Sequence, residues 1–145
     1  MTHRARAAII GTLGVLLPLM AASCLEARVE IDRVEAVRLD DGRVRVVVAL
    51  RNTGDDDAPN ACVQVIWRDT KGPFDQRLSC MRRYLHGGGL TPLCPGDSCP
   101  RSGVTTTESR GPIARAGVSI EVRVTRSGDL YAMDDYDEVR TLPSP

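Results

Sequence analysis

Hydrophobic and polar positions alternate most regularly across residues 43–54, RVRVVVALRNTG. Val44, Val46, Val48 and Leu50 share one parity, Arg43, Arg45, Ala49 and Arg51 the other, and Val47 alone breaks the pattern. A period of two in β-branched residues turns one face to a core and the other to solvent, so this stretch predicts a half-buried strand. Asp41-Gly42 before it is a hairpin-turn signal, and Asn52-Thr53-Gly54 after it is a strong turn-former.

Six further segments read as strands. In residues 27–39, ARVEIDRVEAVRL, Val29 and Ile31 share one face, Val34 and Ala36 the other, and Val37 and Leu39 return to the first. That slip of phase predicts a bulge in an edge strand that changes sheets. Ile31, Val34 and Leu39 are also loosely helical in spacing, but the turn at 40–42 and the β-branched content favour a strand. Residues 61–69, ACVQVIWRD, place Val63, Val65 and Trp67 inward; Trp67, the single Trp, reads as packing between two sheets. Thr70-Lys71-Gly72-Pro73 makes a turn, and residues 74–84 return as a fourth strand. Residues 104–109 form a short polar strand and 110–117 a loop. In residues 118–125, VSIEVRVT, Val118, Ile120, Val122 and Val124 point inward. After a turn at 127–129, residues 136–142 form a last strand and 143–145 a frayed end. Seven short strands separated by turns predict an all-β, antiparallel β-sandwich.

Residues 1–24, MTHRARAAIIGTLGVLLPLMAASC, have a different pattern. Arg4 and Arg6 precede an uncharged apolar run at 7–22, rather short for a membrane span, that ends in Ala21-Ala22-Ser23 before Cys24. This resembles a bacterial lipoprotein signal, with Ala21 where such signals usually carry Leu. The resemblance implies a helical signal peptide at 1–23, a mature domain at 24–145, fatty acylation of Cys24 and a lipid anchor in the cell envelope. Leu25, in place of an Asp that would retain a lipoprotein at the inner membrane, leans toward the outer membrane. The competing readings are ordinary cleavage near Ala22 or Ser23, which yields a secreted or periplasmic protein, and an uncleaved anchor.

The five cysteines fit the lipid reading. Acylation of Cys24 leaves Cys62, Cys80, Cys94 and Cys99, an even set suited to two disulfides in an oxidising compartment. Cys62 and Cys80 are equidistant from Lys71, so a hairpin centred there sets them opposite each other. Cys94 and Cys99 bracket Pro95-Gly96-Asp97-Ser98, a turn-forming insert. Proximity favours 62–80 with 94–99, among three pairings. No Cys-x-x-Cys is present, and the spacings match no common zinc module.

Residues 44–67, VRVVVALRNTGDDDAPNACVQVIW, resemble the immunoglobulin-like envelope modules of the FxLYD and CARDB kind, in which a valine strand runs into Asn-x-Gly, a polar loop and a second valine-alternating strand. Residues 114–117 before VSIEVRV are similar to the turn preceding their late strand. The resemblance implies an immunoglobulin-like sandwich with an adhesive or scaffolding role, and it carries over no functional residues. Residues 86–101 have no counterpart in that pattern.

Charge and chemistry narrow the function classes. Lys+Arg and Asp+Glu number 19 each, and loss of the leader would leave 17 against 19. Lys71 is the only Lys, a bias that reads as base composition. There is no basic stripe for phosphates, so nucleic acid is not an expected partner. Aromatics make up 3% of the chain, and the core must come from Val, Leu, Ile and Ala with cysteine support. Beyond the leader His86 is the only histidine, no Gly-x-Ser-x-Gly elbow exists, and Gly87-Gly88-Gly89 lacks the Lys of a phosphate loop. No enzyme activity, cofactor or metal is therefore expected, and a small hydrolase ranks last. Asp55-Asp56-Asp57 is contiguous, and Asp129, Asp134, Asp135, Asp137 and Glu138 are spread more as calcium would require, yet both read better as solvated loops.

Two function classes follow. One is a non-catalytic envelope lipoprotein that binds or scaffolds an envelope protein. The other is a secreted inhibitor or ligand-binding module that uses the disulfide-tied loop 86–101. That loop is too rich in Gly and Pro for regular structure and too long for an idle connection. Its candidate contact residues are His86, Leu90, Asp97 and Arg101, with the glycines at 87–89 supplying flexibility.

Overall fold

Seven strands appear in the computed structural model, which describes residues 26–89, 100–125 and 138–145. They are β1 (Val29–Arg38), β2 (Val44–Asn52), β3 (Cys62–Asp69), β4 (Gly72–Cys80), β5 (Ser102–Glu108), β6 (Ser119–Thr125) and β7 (Glu138–Pro143). One sheet runs β1-β2-β5 and the other β4-β3-β6-β7, with every pairing antiparallel. The fold is thus an immunoglobulin-like β-sandwich in which β4 extends the β3 sheet. The expected signal helix lies outside the described residues.

Alternation selects the core. Val44, Val46, Val48 and Leu50 of β2 are buried against Val63, Val65 and Trp67 of β3 and Ile120, Val122 and Val124 of β6, with Val118 just before that strand. Every residue expected to face inward does so. Each such aliphatic side chain contributes about 1.5–3 kcal/mol by leaving water. The loops add core residues that no alternation marks: Ala58, Ala61, Leu85 and Ile113.

The phase slip in β1 is a bulge, with the register shifting between Ile31 and Arg33. It turns Val34 and Ala36 toward the core and leaves Val37 exposed. The strand does not change sheets: it pairs with β2 from Val29 to Arg38. The β3–β4 turn is tighter than expected, because Asp69 already pairs with Gly72, whose φ of 121° suits glycine. Pro73 is tolerated because β4 is an edge strand. β4 ends at Cys80, and residues 81–84 leave the sheet. The C-terminus is tied rather than frayed: Ser144 N–H donates to the Val118 carbonyl at 2.9 Å, and the Arg38 guanidinium donates to the Pro145 carbonyl.

Register defines two poles. Residues 26–28, 52–61 and 81–89 and the start of β5 gather at one end, here the loop pole. Residues 38–44, 69–72 and 108–118 gather at the other, the turn pole. Two open sides remain, where edge strands of different sheets meet. On one, the Glu138 carboxylate accepts from Ile31 N–H and the Arg140 guanidinium donates to the Ile31 carbonyl, so β7 side chains cap the β1 edge. On the other, β4 faces β5.

Candidate functional site

The loop pole is organised by Asn52, the last residue of β2, which is fully buried. Its amide oxygen accepts from Arg28 N–H at 3.2 Å and Gly54 N–H at 3.0 Å, and its amide nitrogen donates to the Asp56 carbonyl at 2.8 Å and the Leu85 carbonyl at 2.9 Å. One side chain thereby satisfies the Asn-x-Gly turn, the entry to β1 and the segment after β4. Burial of a polar amide is tolerable because all four positions are used.

The stems of loop 86–101 dock on this turn. Gly88 N–H donates to the Gly54 carbonyl at 2.8 Å, Gly89 N–H to the Asp55 carbonyl at 2.9 Å, and Gly87 N–H to the Asp57 carboxylate at 2.9 Å. A Cβ at Gly87 would lie 2.4 Å from the Asp55 carbonyl, and one at Gly89 2.6 Å from its oxygen. These glycines are therefore set by close backbone approach, where flexibility was the expectation. His86 lies 3.3 Å through Nδ1 from the Asp57 carboxylate, and its N–H donates to the Pro100 carbonyl at 3.0 Å. Arg101 donates from its guanidinium to the Asn52 and Gly54 carbonyls, both at 3.2 Å. Of the expected contact residues, the fold brings His86 and Arg101 to opposite stems of one loop; Leu90 and Asp97 lie outside the described residues.

Cys62 and Cys80 are directly paired in the β3–β4 ladder and form a disulfide. This is the cross-strand link that the hairpin centred on Lys71 predicts. Cys24, Cys94 and Cys99 lie outside the described residues, as do Asp129, Asp134, Asp135 and Asp137. The acidic triplet does not converge: Asp57 serves Gly87 and His86, while Asp56 accepts from Asp57 N–H at 2.9 Å. Among the described residues no group of three or more His, Cys, Asp and Glu is placed to hold a metal, and no helix is long and apolar enough to cross a membrane.

Three hollows follow the open side between β4 and β5. Toward the turn pole, one of about 460 Å³ is lined by Phe74, Asp75, Arg110 and Ile113. A middle one of about 530 Å³ lies between Arg77 and Glu108. The third, about 550 Å³, reaches the loop pole between residues 79–85 and 102–106. The seam is stitched at three points: Ser79 Oγ and Thr105 Oγ1 share a hydrogen bond at 2.5 Å, Arg77 Nε donates to the Glu108 carbonyl at 3.3 Å, and Arg110 N–H donates to the Asp75 carboxylate at 2.8 Å.

The third hollow combines apolar and cationic groups. Tyr84 is 55% and Val104 58% exposed, and Met81 fills the space over Gly103, its methyl 2.1 Å from where a Cβ there would sit. Arg82 and Arg83 are exposed and are the only charged side chains lining it, with no carboxylate partner among the described residues. Sequence reasoning missed this site by running the fourth strand through Tyr84. The adjacent Arg82-Arg83-Tyr84 was the available signal, since strand alternation there would have turned one Arg or its neighbour inward.

No protein-family model matches the chain, and no curated protein is significantly similar to it. Among solved structures, it is similar to part of β-glucosidase 3B from Thermotoga neapolitana in complex with α-D-glucose, at 20% identity and a TM-score of 0.45 over 81% of this chain and 16% of that one. It is similar to part of DesR, a β-glucosidase from Streptomyces venezuelae, at 12% identity and a TM-score of 0.43 over 81% and 15%. It is also similar to part of an endonuclease/exonuclease/phosphatase from Beutenbergia cavernae DSM 12333, at 17% identity and a TM-score of 0.42 over 81% and 26%. The chain thus spans well under a third of each of these proteins.

Proposed function

We propose that this chain is a non-catalytic envelope lipoprotein, held to the membrane by a lipid on Cys24, whose sandwich binds another envelope protein. The observation that carries the reading is the hollow at the loop pole. Tyr, Met and Arg are the residue types enriched where proteins meet, and here Tyr84, Arg82 and Arg83 stand exposed beside a half-buried Met81 around a cleft on a rigid sheet scaffold. The resemblance of residues 44–67 to FxLYD and CARDB modules supports the same role. The basic n-region, apolar run and small residues before Cys24 support the anchor, with the outer membrane favoured over the inner.

The test has two parts. Metabolic labelling with a fatty acid should mark the wild type and lose the mark in Cys24→Ser. In intact cells, a photo-crosslinking residue at position 104 should capture a discrete envelope protein that the same residue at position 37, on the far edge, does not. Equal labelling of both chains would remove the anchor, and capture of nothing at either position would remove the binding role.

A second reading, a secreted inhibitor or ligand-binding module acting through loop 86–101, is favoured by the docked stems, which would limit the ordering entropy lost on binding. Replacing residues 90–99 with a Gly-Ser linker spares those stems. A variant that keeps all its partners would exclude this reading.

A further inference from the structure

The partner's chemistry can be read from the hollow between β4 and β5. We infer that it takes an extended, acidic peptide segment with apolar side chains, which lies along the β4–β5 side with its carboxylates on Arg82 and Arg83; the inference rests on the binding role proposed above. Three observations carry it. Among the described residues the two arginines are the only charged side chains lining the hollow and have no carboxylate partner, so this part of the surface presents positive charge. Two guanidinium forks recognise carboxylates with both charge and geometry. One wall is the edge strand β5 and the other runs from the end of edge strand β4 into residues 81–85, and edge backbone can pair with added chain. On the opposite side Glu138 and Arg140 occupy the β1 edge at Ile31, whereas here the side-chain bond to β5 backbone, from Arg77 to the Glu108 carbonyl, lies toward the turn pole outside this hollow. Tyr84 and Val104 provide apolar contacts for alternate side chains of the guest.

A phage-displayed library of random peptides of about twelve residues, selected on the full chain, tests this without presuming a sequence. Enriched peptides should be acidic with interspersed aliphatic or aromatic residues. A fluorescein-labelled enriched peptide should bind at least about tenfold more weakly to Arg82→Glu/Arg83→Glu, and within about twofold of wild type to Arg33→Glu on the far edge. Its affinity should also fall as salt rises from about 50 to about 500 mM. Enrichment of no peptides, enrichment of neutral or basic ones, or unchanged binding by the double variant would overturn the inference. So would arginine-dependent binding to vesicles of phosphatidylglycerol in the absence of peptide binding, which would make the site a lipid contact. If the double variant still crosslinks through position 104 to the wild-type partner, the acidic-segment inference fails and the binding role stands. If the wild type itself crosslinks to nothing, the binding role fails.

Discussion

Replacing Asn52 with Ala should be the most damaging small change at the loop pole. The substitution removes four hydrogen bonds. The Leu85 carbonyl keeps a second donor, Ala58 N–H at 2.9 Å. Arg28 N–H, Gly54 N–H and the Asp56 carbonyl lose the amide and are only partly reachable by water. At about 1 kcal/mol for each of these three groups, the loss is about 3 kcal/mol, a large share of a total stability of about 5–15. The assay is urea denaturation followed by the fluorescence of Trp67, the single and fully buried Trp. With a slope of about 1.5 kcal/mol/M, the midpoint should fall by about 2 M. Asn52→Asp sharpens the test, because it keeps both acceptor contacts but turns an oxygen toward two carbonyls. Its buried carboxyl should titrate above the usual range. Stability relative to wild type should then be greatest at low pH, where the acid is protonated and can donate, and should decline as pH rises through the shifted value. A midpoint shift below about 0.5 M for Asn52→Ala, or an Asp variant indifferent to pH between about 4 and 7, would refute the linchpin role.

Removing the Cys62–Cys80 link with paired alanines should cost about 3 kcal/mol by loop entropy over its separation of 18 residues, read by the same denaturation; no loss would show that the link does not constrain the unfolded chain. Val46→Asp should prevent folding, since it puts an unpaired charge in the core at a cost of several kcal/mol, whereas Arg45→Asp, on the opposite face beside Glu108, should change stability by less than about 1 kcal/mol by circular dichroism melts. At the turn pole, the Lys71 backbone N–H and then the Arg115 guanidinium hold the Asp69 carboxyl below its ordinary value. A depressed folded value means stability that is present above the ordinary range of Asp and lost as pH falls through the folded value, so Asp69→Asn should lower the melting temperature near neutrality and converge with wild type at low pH, flattening the acid limb of the profile.

Much of this fold was legible because it depends on parity. In β2, β3 and β6 apolar residues recur at every second position, so Val44, Val63 and Ile120 could be assigned inward from spacing alone. The β1 bulge was legible as a slip of phase, although its outcome, an edge strand that stays in one sheet, depends on pairing across the sandwich. Cys62 and Cys80 were legible because a hairpin equates sequence symmetry with spatial opposition. Asn52 was visible as a turn residue but not as a buried hub, since its partners Arg28 and Leu85 are 24 and 33 positions away. Gly87 and Gly89 look the same in sequence whether they serve mobility or close packing, and only the distance to Asp55 decides. The β4–β5 hollow was illegible for a related reason: its walls come from segments about 20 residues apart, and no local period joins Tyr84 to Val104.

The pinned entry to β1 has a consequence for orientation. Glu26 already accepts a hydrogen bond from Asp55 N–H at 3.1 Å, and Thr53 N–H donates to the Arg28 carbonyl at 2.8 Å. Cys24 stands two residues before Glu26, so a lipid there would have a tether of about 7 Å. Such a leash is far shorter than β2, whose nine residues extend about 30 Å. A lipidated chain would therefore stand on its loop pole rather than sway on a stalk, with the turn pole raised by the length of a strand. The β4–β5 side would then run upward from the bilayer like a vertical slot, open to molecules diffusing laterally in the same membrane.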